Sequence, residues 1–348
     1  MSQTTNHPEP PRQRDPDDRD IQQPDPHADA RLPWIYRTID RIARGDRRAL
    51  LTRIGIAVAL LVALLLVSPS FFGWGLAVAA TIVAVPISRL RAYATAFLPY
   101  GAAWLIFTML RALADETRVP LRTDSVTRIE RAMFLGNTPT IWLQSHLFDP
   151  LSISWYDYAT TFVHWSYFFV PHLAAILIWR RNPALFTRYL VATVLLLGMG
   201  LLVYFLSPAA PPWLTTDTAP QADTYRVMAN VGRQINSGLY DRTYSVVGDS
   251  NPVAAMPSMH QAITFLVTLF AIRAGGWIRI GGILYAIAMG FSLVYTGEHY
   301  VIDVLVGSAL ATYAYFIAGR WLTSIAPLFQ VLRRHSRGEL QPTTPPPI

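Results

Sequence analysis

The sequence contains no cysteine and no lysine, and charged residues make up only 15% of it. The first absence excludes disulfides, thiolate catalysis and cysteine-ligated metals, and leaves the redox compartment open. The second means that all 29 basic residues are arginine. The third, set against 52% hydrophobic residues and a mean hydropathy of +0.29, excludes an ordinary soluble domain and points to an integral membrane protein. The formal net charge is +7. Nucleic acid is not the partner this implies. The arginines fall in short runs between apolar stretches, as in cytoplasmic loops under the positive-inside rule, where they also attract anionic headgroups.

Residues 1–30 are rich in Pro, Asp, Arg and Gln and hold almost nothing apolar. No secretory signal is read there, and a disordered tail is expected, because such a segment cannot repay its ordering entropy. A basic segment with an N-terminal transmembrane hairpin is expected over 31–92, a membrane core over 93–322, and a cytoplasmic tail over 323–348. The last eight residues, Gln341-Pro-Thr-Thr-Pro-Pro-Pro-Ile348, read as disordered. No internal repeat is evident.

Arg37, Arg41, Arg44, Arg47, Arg48 and Arg53 precede the first apolar run and hold it to the cytoplasm. Ile54–Ile87 carries no charge and exceeds the roughly 20 residues that one span needs. Ser68-Pro69-Ser70 breaks it into a hairpin. Further spans are expected at Tyr93–Ala114, Tyr158–Trp179, Tyr189–Leu206, Ser258–Ile272, Gly281–Tyr295 and His299–Trp321. Arg89 and Arg91, Arg180, Arg181 and Arg188, Arg273 and Arg279, and Arg333, Arg334 and Arg337 fall in the inner connections of that scheme. The expected fold is therefore an all-α polytopic bundle of about eight spans around a six-helix core, with both termini cytoplasmic. Val126–Phe148, on the outer side, reads as one or two amphipathic interfacial helices.

Two polar islands open the last apolar runs, Asn251-Pro-Val-Ala-Ala-Met-Pro-Ser-Met-His260 and Tyr295-Thr-Gly-Glu-His-Tyr-Val-Ile-Asp303. Ionisable groups at the mouths of membrane helices are costly and mark functional sites. The spacing of His299 and Asp303 predicts one helix face, with Asp303 fixing the tautomer of a nucleophilic His299. Pro257-Ser258 predicts a helix start with Ser258 as N-cap, and such a start attracts an anion. His260, in its first turn, can act as general acid. Nucleophile, orienter, acid and anion cradle together suit a lipid phosphate ester at the outer membrane face.

These stretches resemble a known family. Pro257-Ser-Met-His260 and Gly297-Glu-His-Tyr-Val-Ile-Asp303 look like the second and third signature motifs of the type 2 phosphatidic acid phosphatase superfamily. The resemblance implies that His299 attacks phosphorus, His260 protonates the leaving group and Asp303 supports the nucleophile. The superfamily's first motif needs a lysine, which this chain lacks, and its third motif usually has Ser-Arg where Ser292 and Leu293 stand. Pro208-Ala-Ala-Pro-Pro-Trp213 and the Glu-His-Tyr variant instead look similar to the inositolphosphotransferase branch, the inositol phosphorylceramide synthase-like proteins. The phosphate-binding charge is then sought at Arg111, Arg233 and Arg242.

The expected activity is that of a metal-independent lipid phosphotransferase or phosphatase working through a phosphohistidine, with a polyol or lipid acceptor and no cofactor. A non-catalytic lipid binder or transporter is the alternative, and a two-histidine, one-carboxylate metal site the rival chemistry. His164 and His172 are expected to bond within the bundle, since eight residues set them about 80° apart on a helix. Trp165, Tyr167 and Phe168 read as packing aromatics. Glu298 is left either as a solvated neighbour of His299 or as a site group.

Overall fold

The computed structural model describes residues 47–67, 72–85, 89–113, 119–122, 124–215, 224–235 and 254–336. Both expected disordered tails and the Ser68-Pro69-Ser70 break lie outside them. The chain divides at Leu51/Thr52; of the first unit only 47–51 are described, and the helix bundle belongs to the second.

Helices α1 (Arg47–Val67), α2 (Phe72–Ala84) and α3 (Leu90–Ala112) come first. Two short helices succeed them, α4 (Asp124–Met133) and α5 (Pro139–Leu147), from the stretch expected to be amphipathic. Then come α6 (Trp155–Trp165), α7 (Val170–Arg181), α8 (Pro183–Leu206), the single turn α9 (Pro212–Thr215) and α10 at 227–235. The chain closes with α11 (Met259–Ala274), α12 (Gly276–Tyr295) and α13 (Val301–Ser336).

Local chemistry starts these helices where they start. Asn182 caps α8, accepting from the Leu185 amide at 3.0 Å, with Pro183 at the first position, where a missing N–H does no harm. Ser154 and Asp157 form a capping box on α6. Gly275 turns α11 into α12 at φ +74°, a left-handed conformation that glycine adopts without steric strain.

Among the described residues, α3, α8, α12 and the Val301–Leu322 part of α13 are each long and apolar enough to cross a membrane. A fifth span results if α6 and α7 count as one, and Leu50–Leu64 and α11 are shorter apolar helices. The chain is a multi-pass, all-α membrane protein. Leu98, Leu105, Ile106, Met109, Leu202, Leu284, Ile287 and Phe316 point outward and exposed, as lipid allows. The interior is built from α8, α11, α12 and α13 around Tyr189, Leu196, Ile263, Leu266, Met289 and Leu293, with Ala311, Ala314 and Ala318 on α13. Small residues let these backbones approach closely, which is how helices gain contact where lipid removes the hydrophobic drive.

Four or five spans by length and apolarity are thus found among the described residues where about eight were expected, and one of them is not continuous. The Tyr158–Trp179 stretch is broken: Ser166–Phe168 is a 3₁₀ turn, and the axis bends by 49° before α7. Pro171, at the start of α7, has no N–H to give the Tyr167 carbonyl, so the α-helix cannot run through. The 80° separation expected for His164 and His172 therefore does not apply.

A close backbone approach joins α11 to α13. A methyl group at Gly307 would stand 2.4 Å from the Ser258 carbonyl oxygen. Gly307→Ala should therefore lower stability by about 1–3 kcal/mol, the usual penalty of overpacking. A thermal melt of the detergent-solubilised protein measures it. An unchanged midpoint would mean that the seam opens freely for a methyl group.

Candidate active site

The polar groups of the bundle gather where α11 and α13 begin. Ser258 caps α11, its hydroxyl accepting from the Gln261 amide at 3.3 Å, as its place in the sequence predicts. Its own amide donates to the Asp303 carbonyl at 3.1 Å, which ties the two helix starts together. Tyr204 of α8 donates to the Pro257 carbonyl at 3.0 Å and holds the segment before the cap.

His299 does not lie on the helix with Asp303. The amides of Glu298 and His299 both donate to the Leu293 carbonyl at 3.1 Å, closing the end of α12 and leaving His299 one residue before the N-cap of α13. Gly297 makes that reversal at φ +80°, where a Cβ would also meet the Tyr225 carbonyl at 2.7 Å. Asp303 instead occupies the third helical position and accepts from the Tyr300 amide at 2.9 Å. His299 Nδ1 is 3.6 Å from the same carboxylate oxygen. That is within ion-pair reach but longer than a hydrogen bond. Asp303 is wholly buried and His299 only 5% exposed.

His260 faces this pair, its ring centroid 5.8 Å from that of His299. It is also enclosed by Tyr167 at 4.3 Å and by His164 at 4.4 Å. His172 does bond locally, its Nδ1 2.9 Å from the Tyr100 hydroxyl, whereas His164 joins the cluster. The broken span explains this: it brings His164, Tyr167 and Phe168 around one ring. His164 Nδ1, His299 Nδ1 and Asp303 Oδ1 are buried with no hydrogen-bond partner. Each such group costs about 1–3 kcal/mol if it stays unpaired; the Nδ1 of His299 still has the Asp303 carboxylate 3.6 Å away, so the Nδ1 of His164 is the atom most clearly left over.

Of the three candidate arginines, Arg111 lies in the last turn of α3, and its charge acts on His260, Tyr167 and Tyr204. Arg233 turns back on its own helix, donating to the Ala229 carbonyl at 3.3 Å and to Asn230 Oδ1 at 3.1 Å. Arg242 lies outside the described residues. Arg226, which sequence reasoning did not single out, donates to Glu298 at 2.8 Å and stacks over Trp213 with 4.2 Å to the ring centroid. The charges of both Arg226 and Glu298 act on His164. Glu298 is thus an ion-pair partner at the rim and not a solvated neighbour. Among the described residues, no group of three or more His, Asp or Glu side chains has an arrangement that could hold a metal.

Residues 124–317, more than half of the chain, match the PAP2 superfamily. The chain belongs to this family. It is also 23% identical, over 235 residues, to the phosphoinositol dihydroceramide synthase of Bacteroides thetaiotaomicron, an alignment covering 64% of this chain and 75% of that one. That similarity agrees with the inositolphosphotransferase branch suggested by the motifs. No solved structure matches. Family membership carries the coarse function, an enzyme that is a phosphatase or phosphotransferase of lipid phosphate esters.

The loop that carries His299 is pinned from α5. Gln144, 4% exposed, donates to the carbonyls of Tyr225 at 2.9 Å and Tyr295 at 2.8 Å, and accepts from the Tyr225 amide at 2.8 Å. Gln144→Leu leaves those backbone groups unpaired, at about 1–3 kcal/mol for each that stays dry. Amide exchange at Tyr225 should accelerate at least tenfold in the variant; exchange at the parental rate would show that Gln144 does not hold the loop.

Proposed function

We propose that the chain is a lipid phosphotransferase that moves a phosphoryl headgroup from one lipid to a hydroxyl acceptor through a phosphohistidine on His299. The supporting observation is the gathering of His260, partly exposed, with the buried His299 and Asp303 in one polar cluster that holds unpartnered atoms. With Asp303 on the Nδ1 side, Nε2 of His299 is the nitrogen left to attack phosphorus. The bond to the leaving lipid oxygen breaks as His260 gives that oxygen a proton. An acceptor hydroxyl then attacks the phosphohistidine, His260 takes its proton, and His299 is released. The charge that builds on the phosphoryl oxygens meets the first-turn amides of α11, capped by Ser258, together with Arg111 and Arg226. Arginines and amides suffice for this step, so no metal is required.

The cargo to try first is the phosphoinositol group, from the activity the relative is named for and the Pro-Pro-Trp segment the chain carries. Orientation comes from charge. The site lies at the start of α11 and the end of α12, while Arg273 and Arg279 mark their connection at the other end. The positive-inside rule then assigns the site to the outer face of the cell membrane and both termini to the cytoplasm.

The test is purified protein in mixed micelles with an inositol phospholipid labelled in the headgroup and a ceramide-type acceptor. A new labelled lipid is expected, with labelled protein trapped on His299, and His299→Ala should lose about a thousandfold or more of turnover. Retained turnover in His299→Ala would remove the phosphohistidine. Label released only as water-soluble headgroup phosphate would make the enzyme a phosphatase. In the same assay Arg111→Ala and Arg226→Ala should each lose about 10²-fold or more, as when one oxyanion donor is deleted, and Arg233→Ala should stay within about twofold. Equal effects at all three would remove the assignment of phosphate charge.

A further inference from the structure

Glu130, on α4, is wholly buried. A carboxylate with no exposure is strongly disfavoured unless it is hydrogen-bonded. Here burial raises its carboxyl above the usual range, and two backbone hydrogen bonds pull it back. Those bonds come from the amides of Val301 at 3.1 Å and Ile302 at 3.4 Å, the first two helical residues of α13. The first N–H groups of a helix have no backbone partner within that helix.

The usual acceptor in such a cap is the side chain of the N-cap residue. Tyr300 cannot serve. Its hydroxyl is committed elsewhere, 2.9 Å from the Thr127 hydroxyl of α4 and 3.0 Å from that of Thr215 in α9. The nearest carboxylate on α13 itself is Asp303, which already holds the Tyr300 amide. Without an acceptor from outside, Asp303 is the group those two amides would recruit, and it would be drawn away from His299. Glu130 fills that need from a separate helix.

We propose that Glu130 is a positioning residue for the transfer reaction: by capping α13 from α4, it leaves Asp303 available to orient His299. The hydrogen bonds of Glu130 run to the backbone of α13 and not to His260 or His299. Its effect passes through Asp303, so the two should not act independently. The role rests on the catalytic parts proposed for His299 and Asp303.

A double-mutant cycle on turnover tests it, using the full-length protein and the same labelled lipid assay. Glu130→Gln keeps the size and loses one of the two acceptors. It should lower kcat about ten- to a hundredfold, the scale of a displaced catalytic group, with KM within about twofold. Asp303→Asn should lower kcat by more, and E130Q combined with D303N should fall no further than D303N alone, because coupled residues fail to add. Losses that multiply would mean that Glu130 only supports the fold. E130Q within about twofold of the parent would remove the role altogether. If E130Q does not fold, Glu130→Asp, which keeps the charge but is too short to reach both amides, goes through the same cycle with the same two outcomes. His299→Ala, run alongside, separates the two ideas. Activity in that variant defeats the phosphohistidine itself, whereas a dead His299→Ala with a fully active E130Q defeats only the cap.

Discussion

The hydrogen bond from the Ser258 amide to the Asp303 carbonyl fixes the distance between two helix starts, and the site depends on that distance. One start carries His260; the other comes just after His299 and carries Asp303. A phosphoryl group can bridge two imidazoles only when they stand a few ångströms apart and stay there. In lipid, apolar contact supplies little drive to hold two helices at a chosen spacing. The bundle instead uses backbone-to-backbone contact, with Gly307 removing the side chain that would keep α11 and α13 apart.

Nearly every ionisable group of the cluster sits at a helix terminus. His164 ends α6, Arg111 lies in the last turn of α3, His260 opens α11, and His299 and Asp303 flank the start of α13. Membrane helices satisfy their backbones internally along their length and are left with free N–H and C=O groups only at their ends. Polar side chains there serve two purposes, completing the helix and performing chemistry. One oxygen of Asp303 accepts from the Tyr300 amide and also faces His299, so the helix cap and the proposed chemistry share it. The short helices α4 and α5 supply further acceptors and donors, through Glu130 and Gln144.

Much of this was legible in the residue order. The apolar runs located the helices that carry the site, and the two polar islands located His260, His299 and Asp303, because a charge at a membrane helix mouth is conspicuous locally. Ser258 was legible as a cap for the same reason. His164 was not, since its place beside His260 depends on a helix break. Pro171 was the available signal for that break, and it is easily passed over within an otherwise continuous aromatic and apolar run. Arg226 looked like Arg233 in an outer loop; only the pairing with Glu298 and the stacking on Trp213 distinguish them. Glu130 sat in a stretch whose alternating charge suggests a surface, and one carboxylate turned inward leaves no periodic trace. The expectation that His299 and Asp303 share a helix face failed by two residues, because α12 closes with His299 still outside the next helix, which starts at Val301.

The enclosure of His299, the nucleophile in the mechanism proposed, bears on the choice between water and an alcohol as acceptor. A phosphohistidine is hydrolysed wherever water reaches it, so an enzyme that transfers must exclude bulk solvent from the intermediate. His299 at 5% exposure and Asp303 fully buried leave little surface for bulk water on the attacking side, while His260, flanked by Tyr167 and His164, stays partly exposed. An acceptor lipid is under no such handicap. Its hydroxyl lies at the membrane interface, beside helices whose outer faces are Leu, Ile and Phe. On the transfer reading proposed above, such enclosure protects the intermediate at every turnover.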